Sequence, residues 1–98
     1  MSRSAPMSAA RAEEIATACL IWLAGNEELL PVFMGASGLA PEDLRQAAQD
    51  PHFLGSVLDF LLMDDAWVMA FCQAQGLAYD LPGQARQLLP GGEQVHWT

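Results

Sequence analysis

The stretch over residues 50–77, DPHFLGSVLDFLLMDDAWVMAFCQAQGL, is the most apolar part of the chain and limits the choice of fold most strongly. As a single helix it would place Asp65 within a stripe of Leu, Val and Met residues, where an unpaired carboxylate is costly. A break just before Asp64 removes that cost, because Asp64 can then cap a second helix. Asp50 can cap the first helix in the same way, with Pro51 at its first position. The stretch therefore predicts a helical hairpin with helices over 51–63 and 65–75.

Helical spacing and capping residues predict further helices on both sides of this hairpin. Ser8 is a suitable cap for the first of them, and Asn26 for the second. Pro31 lacks an N–H, so the second helix should have a tight or kinked first turn. These additional helices are expected over residues 9–24, 27–37, 41–49 and 81–89.

An internal repeat with a period of 38 residues relates two parts of the chain. Residues 19–40 and 57–78 align without gaps and share seven identities in 22 positions, including the block Phe-x-x-Ala-x-Gly-Leu-Ala. Coincidence between two Ala- and Leu-rich helices is the alternative explanation. The repeat predicts an all-α fold, a compact bundle of five to six short helices built from two repeated helical hairpins over about 9–40 and 51–78.

Ninety-eight residues suit one domain with one modest core. We expect a disordered N-terminal segment over 1–7, the helical domain over 8–89, and a C-terminal tail over 90–98. The first residues lack the apolar stretch of a secretory signal, and no apolar run is long enough to span a bilayer. A cytoplasmic location without membrane contact follows, and Cys19 and Cys72 are then expected to be reduced, buried thiols.

The charge balance restricts the choice of partner. Twelve acidic residues oppose four Arg and no Lys, for a net charge of -8. A surface this negative repels phosphate backbones and anionic lipid, so we expect no nucleic acid partner and no membrane partner.

No catalytic, cofactor or metal motif stands out. The glycines occur singly except for Gly91-Gly92 and are expected at helix ends or in the tail, so there is no phosphate-binding loop. The adjacent Asp64 and Asp65 could form a metal or acid–base pair, but capping is the far more common role. We therefore expect no enzymatic activity, no cofactor and no metal.

His52 and Asp59 form the one candidate polar site. They lie seven residues apart, two turns along one helix face, so an ionic or metal contact between them is conceivable. Asp59 stands among apolar neighbours and could be a buried carboxylate with a raised pKa. The more common outcome is an outward-facing carboxylate or an ion pair, for which Arg45 and Arg86 are available.

Aromatic and Met side chains exceed what short helices easily enclose. Phe33, Phe60 and Phe71 are expected in the core, whereas Trp67, Tyr79 and Trp97 are candidates for a partner surface. A well-filled core is the alternative. The preferred function is thus a protein–protein interaction or self-association module, with an unknown protein partner or a homodimer. A small-molecule or metal-binding pocket between the hairpins is the second hypothesis.

The order of the segments, with DLRQAAQDPHFL followed by LDFLLMDDAW and AFCQAQGL, resembles a family of short bacterial all-helical proteins catalogued only as a domain of unknown function. The resemblance covers about Ala9 to Leu89. It implies an all-α fold and a cytoplasmic bacterial origin. It implies no activity.

Overall fold

The structure is a computed structural model that describes residues 7–90. Within that range it contains no strand, and one 3₁₀ turn, Pro41–Asp43, precedes the third helix. The prediction of an all-α bundle with five to six short helices is confirmed. The helices are α1 (Ala9–Ala24), α2 (Leu30–Ser37), α3 (Leu44–Ala47), α4 (Pro51–Leu61), α5 (Asp65–Gln75) and α6 (Leu81–Gln87).

Side-chain caps start the three longest helices at the expected residues. Ser8 Oγ accepts a hydrogen bond from Arg11 N at 3.0 Å, at the start of α1. Asp50 Oδ1 accepts one from His52 N at 3.0 Å, and Asp64 Oδ1 accepts one from Ala66 N at 2.8 Å. The break before Asp64 is therefore confirmed, and α4 ends two residues earlier than expected, at Leu61.

α6 also ends two residues earlier than expected, at Gln87, and two further elements are shorter than expected. Asn26 Oδ1 accepts hydrogen bonds from Glu28 N and Leu29 N, which holds a turn, so α2 begins at Leu30 with Pro31 in its first turn. The expected helix over 41–49 is a 3₁₀ turn followed by a single turn of α-helix, because residues 48–50 already lead into the cap of α4.

α1 is the central element of the core and packs most extensively against α4 and α6. The short α6 is therefore a core helix rather than a peripheral one. Ala85 is fully buried, and Leu89 beyond it is 3% exposed, whereas Leu88 is largely exposed. The other buried apolar residues are Ala12, Ile15, Ala16, Cys19, Leu20, Leu23, Phe33, Leu54, Val57, Leu58, Phe60, Leu61, Val68, Phe71 and Cys72.

Some residues paired by the internal repeat have similar local structure, although residues 27–29 form a turn and their counterparts 65–67 are helical. Gly38 and Gly76 both end a helix in the left-handed conformation, with φ of 75° and 70°. Phe33 and Phe71 are both buried. These similarities agree with the repeat, whose origin in a duplication stays a prediction.

None of the helices described in residues 7–90 is both long and apolar enough to cross a membrane. The expected N-terminal segment, except for Met7, and the expected tail after Pro90 lie outside the described residues.

Candidate functional site

The two residues of the candidate polar site have different partners. Asp59 accepts two hydrogen bonds from Arg86, from Nε at 2.6 Å and from Nη2 at 3.0 Å. His52 is exposed, and its Nδ1 lies 3.6 Å from Asp50 Oδ1. Of the two arginines considered as partners of Asp59, the structure thus selects Arg86. Among residues 7–90 no three His, Cys, Asp or Glu side chains are grouped to hold a metal ion.

Arg86 is the only charged residue that is buried among those the structure describes, with 9% of its surface exposed. Besides the Asp59 carboxylate, Arg86 contacts two backbone carbonyls just after α6. Its Nη1 donates to Leu89 O at 3.2 Å and to Pro90 O at 3.3 Å. A buried guanidinium is tolerated when its donors are satisfied, and here a bidentate carboxylate and two carbonyls do so.

Gly55 provides the space for this arginine. A Cβ atom at this position would lie 2.8 Å from Arg86 Nη1 and 2.9 Å from Pro90 O, closer than real side chains approach. The expectation that glycines lie only at helix ends is wrong here, because Gly55 is inside α4 and buried. The signal in the sequence was the spacing of Gly55 and Asp59, four residues apart and so on one helix face. We call Gly55, Asp59, Arg86, Leu89 and Pro90 the Arg86 network.

Asp59 also lines a pocket between α2 and α4. The pocket has a volume of about 190 Å³, and we call it the α2–α4 pocket. Phe33 and Phe60 are buried and line it, whereas Met63 is 74% exposed. His52 does not line it. The full lining is Phe33, Ala36, Ser37, Ser56, Asp59, Phe60 and Met63.

A larger groove separates α1 from α3 and has a volume of about 500 Å³. We call it the α1–α3 groove. Ile21, whose side chain is 67% exposed, lies in its α1 wall, and Arg45 belongs to the α3 wall. A second depression of about 470 Å³ shares Thr17 and Ile21 with it and extends along α1 past Glu14 and Glu13 to Ala10. The groove is lined by Thr17, Leu20, Ile21, Ala24, Leu44, Arg45 and Ala48.

The aromatic residues considered for a partner surface are not gathered at this groove. Trp67 is half-buried and stacks on Phe60, with ring centroids 4.9 Å apart and planes at 21°. Tyr79 is half-exposed and lies in a shallow depression beside Gln73, whose Nε2 is 3.3 Å from its hydroxyl. Trp97 lies outside the described residues. Sequence reasoning did not single out Ile21, although it is a large apolar residue outside the buried stripe of α1.

The two cysteines are free, buried thiols in the structure, as expected. Burial raises the pKa of the Cys19 thiol to about 12, and the neighbouring Cys72 adds to the shift. Burial also raises the pKa of Cys72, to which the nearby Asp80 carboxylate contributes. Since the thiolate is the nucleophile and the metal ligand, these cysteines are inert at neutral pH.

Comparison with known proteins identifies a family for the chain but no individual relative. A family model with the description "Protein of unknown function (DUF3572)" matches residues 9–92. Neither the curated proteins nor the solved structures include a significant match.

Proposed function

This chain belongs to the DUF3572 family of proteins of unknown function, and from that premise we propose that it is a protein-interaction module. The module binds an amphipathic helix of a partner protein in the α1–α3 groove. The proposal depends on one observation, the exposure of Ile21 in the wall of a groove large enough to receive side chains.

The groove has the form that helix recognition requires. Helices bind to apolar grooves through large side chains at intervals of three or four residues. Leu20 and Leu44 give the groove an apolar lining, and the second depression continues it along α1 to Ala10. The distance along α1 from Ala10 to Ala24 is about 21 Å, enough for about four turns of a bound helix.

The charge of the chain favours a basic partner over a second copy. The net charge is -8, so two copies repel each other at long range, whereas a Lys- or Arg-bearing helix is attracted. Glu13 and Glu14 border the depression next to Ile21 and supply local negative charge. Arg11 offsets Glu14 in part, since Arg11 Nη1 lies 3.3 Å from Glu14 Oε1. Glu13 is therefore the better candidate for contact with a basic residue of the partner.

The cytoplasm is the proposed location of this interaction. Cys19 and Cys72 are free thiols and form no disulfide, which is the usual state of cysteines in a reducing compartment.

Replacement of Ile21 by Gln provides the test, with Val32→Gln as the matched control. Val32 is an exposed β-branched residue of α2 that does not line the groove. Proteins captured from a lysate of the source cells by the full chain are compared among the wild type and both variants. A helical peptide from a captured protein is then titrated calorimetrically against all three.

We expect a peptide with an apolar face and basic flanks, whose affinity decreases as the salt concentration rises. Loss of the Ile21 contact costs about 2 kcal/mol, or roughly a 30-fold increase in Kd, because burial of an Ile side chain is worth that much. Glu13→Lys should also weaken binding, and Val32→Gln should not. Equal binding by wild type and Ile21→Gln overturns the proposal. A homodimer in light scattering that Ile21→Gln dissociates would also overturn it, in favour of a second copy.

A further inference from the structure

The α2–α4 pocket has the size and the walls of a site for one aromatic group. Phe33 and Phe60 line it at 2% and 6% exposure, and their rings meet edge to face with centroids 5.2 Å apart. An apolar cavity of about 150 Å³ is enough to bind benzene, so about 190 Å³ holds one ring or two fused rings. Met63 adds a thioether, which makes favourable contacts with aromatic rings.

The hydroxyl groups of the pocket present acceptors and no free donor. Ser56 Oγ donates to Phe53 O at 2.7 Å, one turn earlier in α4. Ser37 Oγ donates to Met34 O at 3.3 Å. A hydroxyl has one proton and two lone pairs, so both serines have already used their proton but can still accept. Ser37 has less capacity left, because its Oγ already accepts a hydrogen bond from Leu39 N at 3.3 Å.

Asp59 supplies a third acceptor with a fixed orientation. A carboxylate has about four lone-pair positions, and Arg86 Nε and Nη2 occupy two of them. Asp59 lines the pocket and its side chain is still 58% exposed, so the other positions are not enclosed by the protein. Because Arg86 also offsets the charge of Asp59, a neutral donor is better matched to this carboxylate than a cation.

From these contacts we propose that the α2–α4 pocket binds a small, neutral aromatic molecule that carries one N–H or O–H donor, of the indole or phenol class. The ring lies against Phe33, Phe60 and Met63, and the donor is directed to the acceptors that line the pocket, with Asp59 the strongest. This site is separate from the α1–α3 groove and does not depend on the function proposed there.

Indole and benzofuran provide the probes, because they have almost the same shape and benzofuran lacks the donor. Each is titrated into the full ¹⁵N-labelled chain, and amide chemical shifts are followed by NMR. We expect saturable shifts from indole in α2 and α4 around Phe33, Ser37 and Asp59. Benzofuran should bind at least about fivefold more weakly, since a hydrogen bond to a charged acceptor contributes even at a partly exposed site.

Ala36→Leu tests the location of the site, and Ala74→Leu is its matched control. Ala36 lines the pocket, whereas Ala74 is its counterpart in the internal repeat, exposed on α5 and outside the pocket. The first variant should abolish the indole shifts and the second should preserve them. Ile21→Gln should also preserve them, which separates this site from the groove. The proposal is wrong if benzofuran binds as well as indole, if Ala36→Leu binds normally, or if the indole shifts map elsewhere.

Discussion

Gly55→Ala should destabilise the protein, although the same change inside an exposed helix is stabilising. Alanine is favoured over glycine in a helix interior by about 1 kcal/mol. At Gly55, however, the new Cβ would lie 2.8 Å from Arg86 Nη1 and 2.9 Å from Pro90 O. Whether the substitution stabilises or destabilises the protein therefore depends on how much free energy the Arg86 network loses when it moves.

The size of that loss follows from the distances in the network. Ordinary contact with a Cβ begins at 3.4 Å, so Arg86 Nη1 must move away by about 0.6 Å. Its bonds to Leu89 O and Pro90 O are already 3.2 and 3.3 Å long, and such a movement breaks at least one of them. Hydrogen bonds of charged groups contribute about 1.5–3 kcal/mol each. After the helix gain of about 1 kcal/mol is subtracted, we expect a net loss of about 0.5–2 kcal/mol.

Thermal and urea unfolding followed by circular dichroism measure this difference, with Gly35→Ala as the control. Gly35 lies within α2, and a Cβ there would meet no atom within 4 Å. Gly35→Ala should raise the free energy of unfolding by up to about 1 kcal/mol. Gly55→Ala should lower Tm by roughly 2–16 °C, given about 4–8 °C per kcal/mol in a domain of this size.

A double-mutant cycle with Arg86→Ala tests whether displacement of Arg86 causes the loss of stability. Without the guanidinium, Gly55→Ala should cost clearly less than in the wild type, because only the Pro90 carbonyl still opposes the methyl group. If Gly55→Ala stabilises the protein as much as Gly35→Ala does, the Arg86 network moves without cost and this reasoning is refuted.

Three further predictions concern a cap, a turn and the buried thiols. Asp64→Ala removes the cap of α5 and should cost about 1 kcal/mol in urea unfolding; Asp65→Ala, which removes no capping bond, should cost less. Gly76→Ala should cost about 1 kcal/mol in the same assay, because φ is +70° there and the methyl group strains the backbone; Gly83→Ala is the control without such strain. The pKa of Cys19 is about 12 when folded and 9.0 as the reference, so its stabilisation is complete below pH 9 and decreases as pH rises toward 12. Urea titrations should show a loss of up to about 1.4 kcal/mol per pH unit in that range, and a similar slope in Cys19→Ala would contradict this assignment.

Local signals in the sequence were sufficient for the helices with side-chain caps. Ser8, Asp50 and Asp64 each accept the expected backbone hydrogen bond, so the starts of α1, α4 and α5 followed from residue type alone. Asn26 likewise accepts its expected hydrogen bonds, and its carbonyl accepts one from Leu30 N. Pro31 has no N–H for the next helical bond, so the regular part of α2 begins only at Leu30.

The spacing of residues along the sequence could not predict which side chains from distant helices contact each other. Asp59 had two arginines as candidate partners, and the choice of Arg86 depends on where α6 packs against α4. The role of Gly55 follows from the same packing, because the glycine is needed only once Arg86 and Pro90 lie above it. The α2–α4 pocket likewise arises from a contact between separate helices. The exposure of Ile21, in contrast, could have been inferred from the sequence, because Ile21 lies outside the buried stripe of α1.

The position of α1 between α4 and α6 has a consequence for the order of folding. α1 cannot cover the whole of its apolar side until α6, the last described helix, has been made, although α4 is available earlier. Closure of a loop that spans nearly the whole domain must therefore accompany the final assembly step, and this entropic cost slows folding relative to a bundle of neighbouring helices. In a nascent chain, the part of α1 that packs against α6 should thus stay uncovered until α6 has left the ribosome.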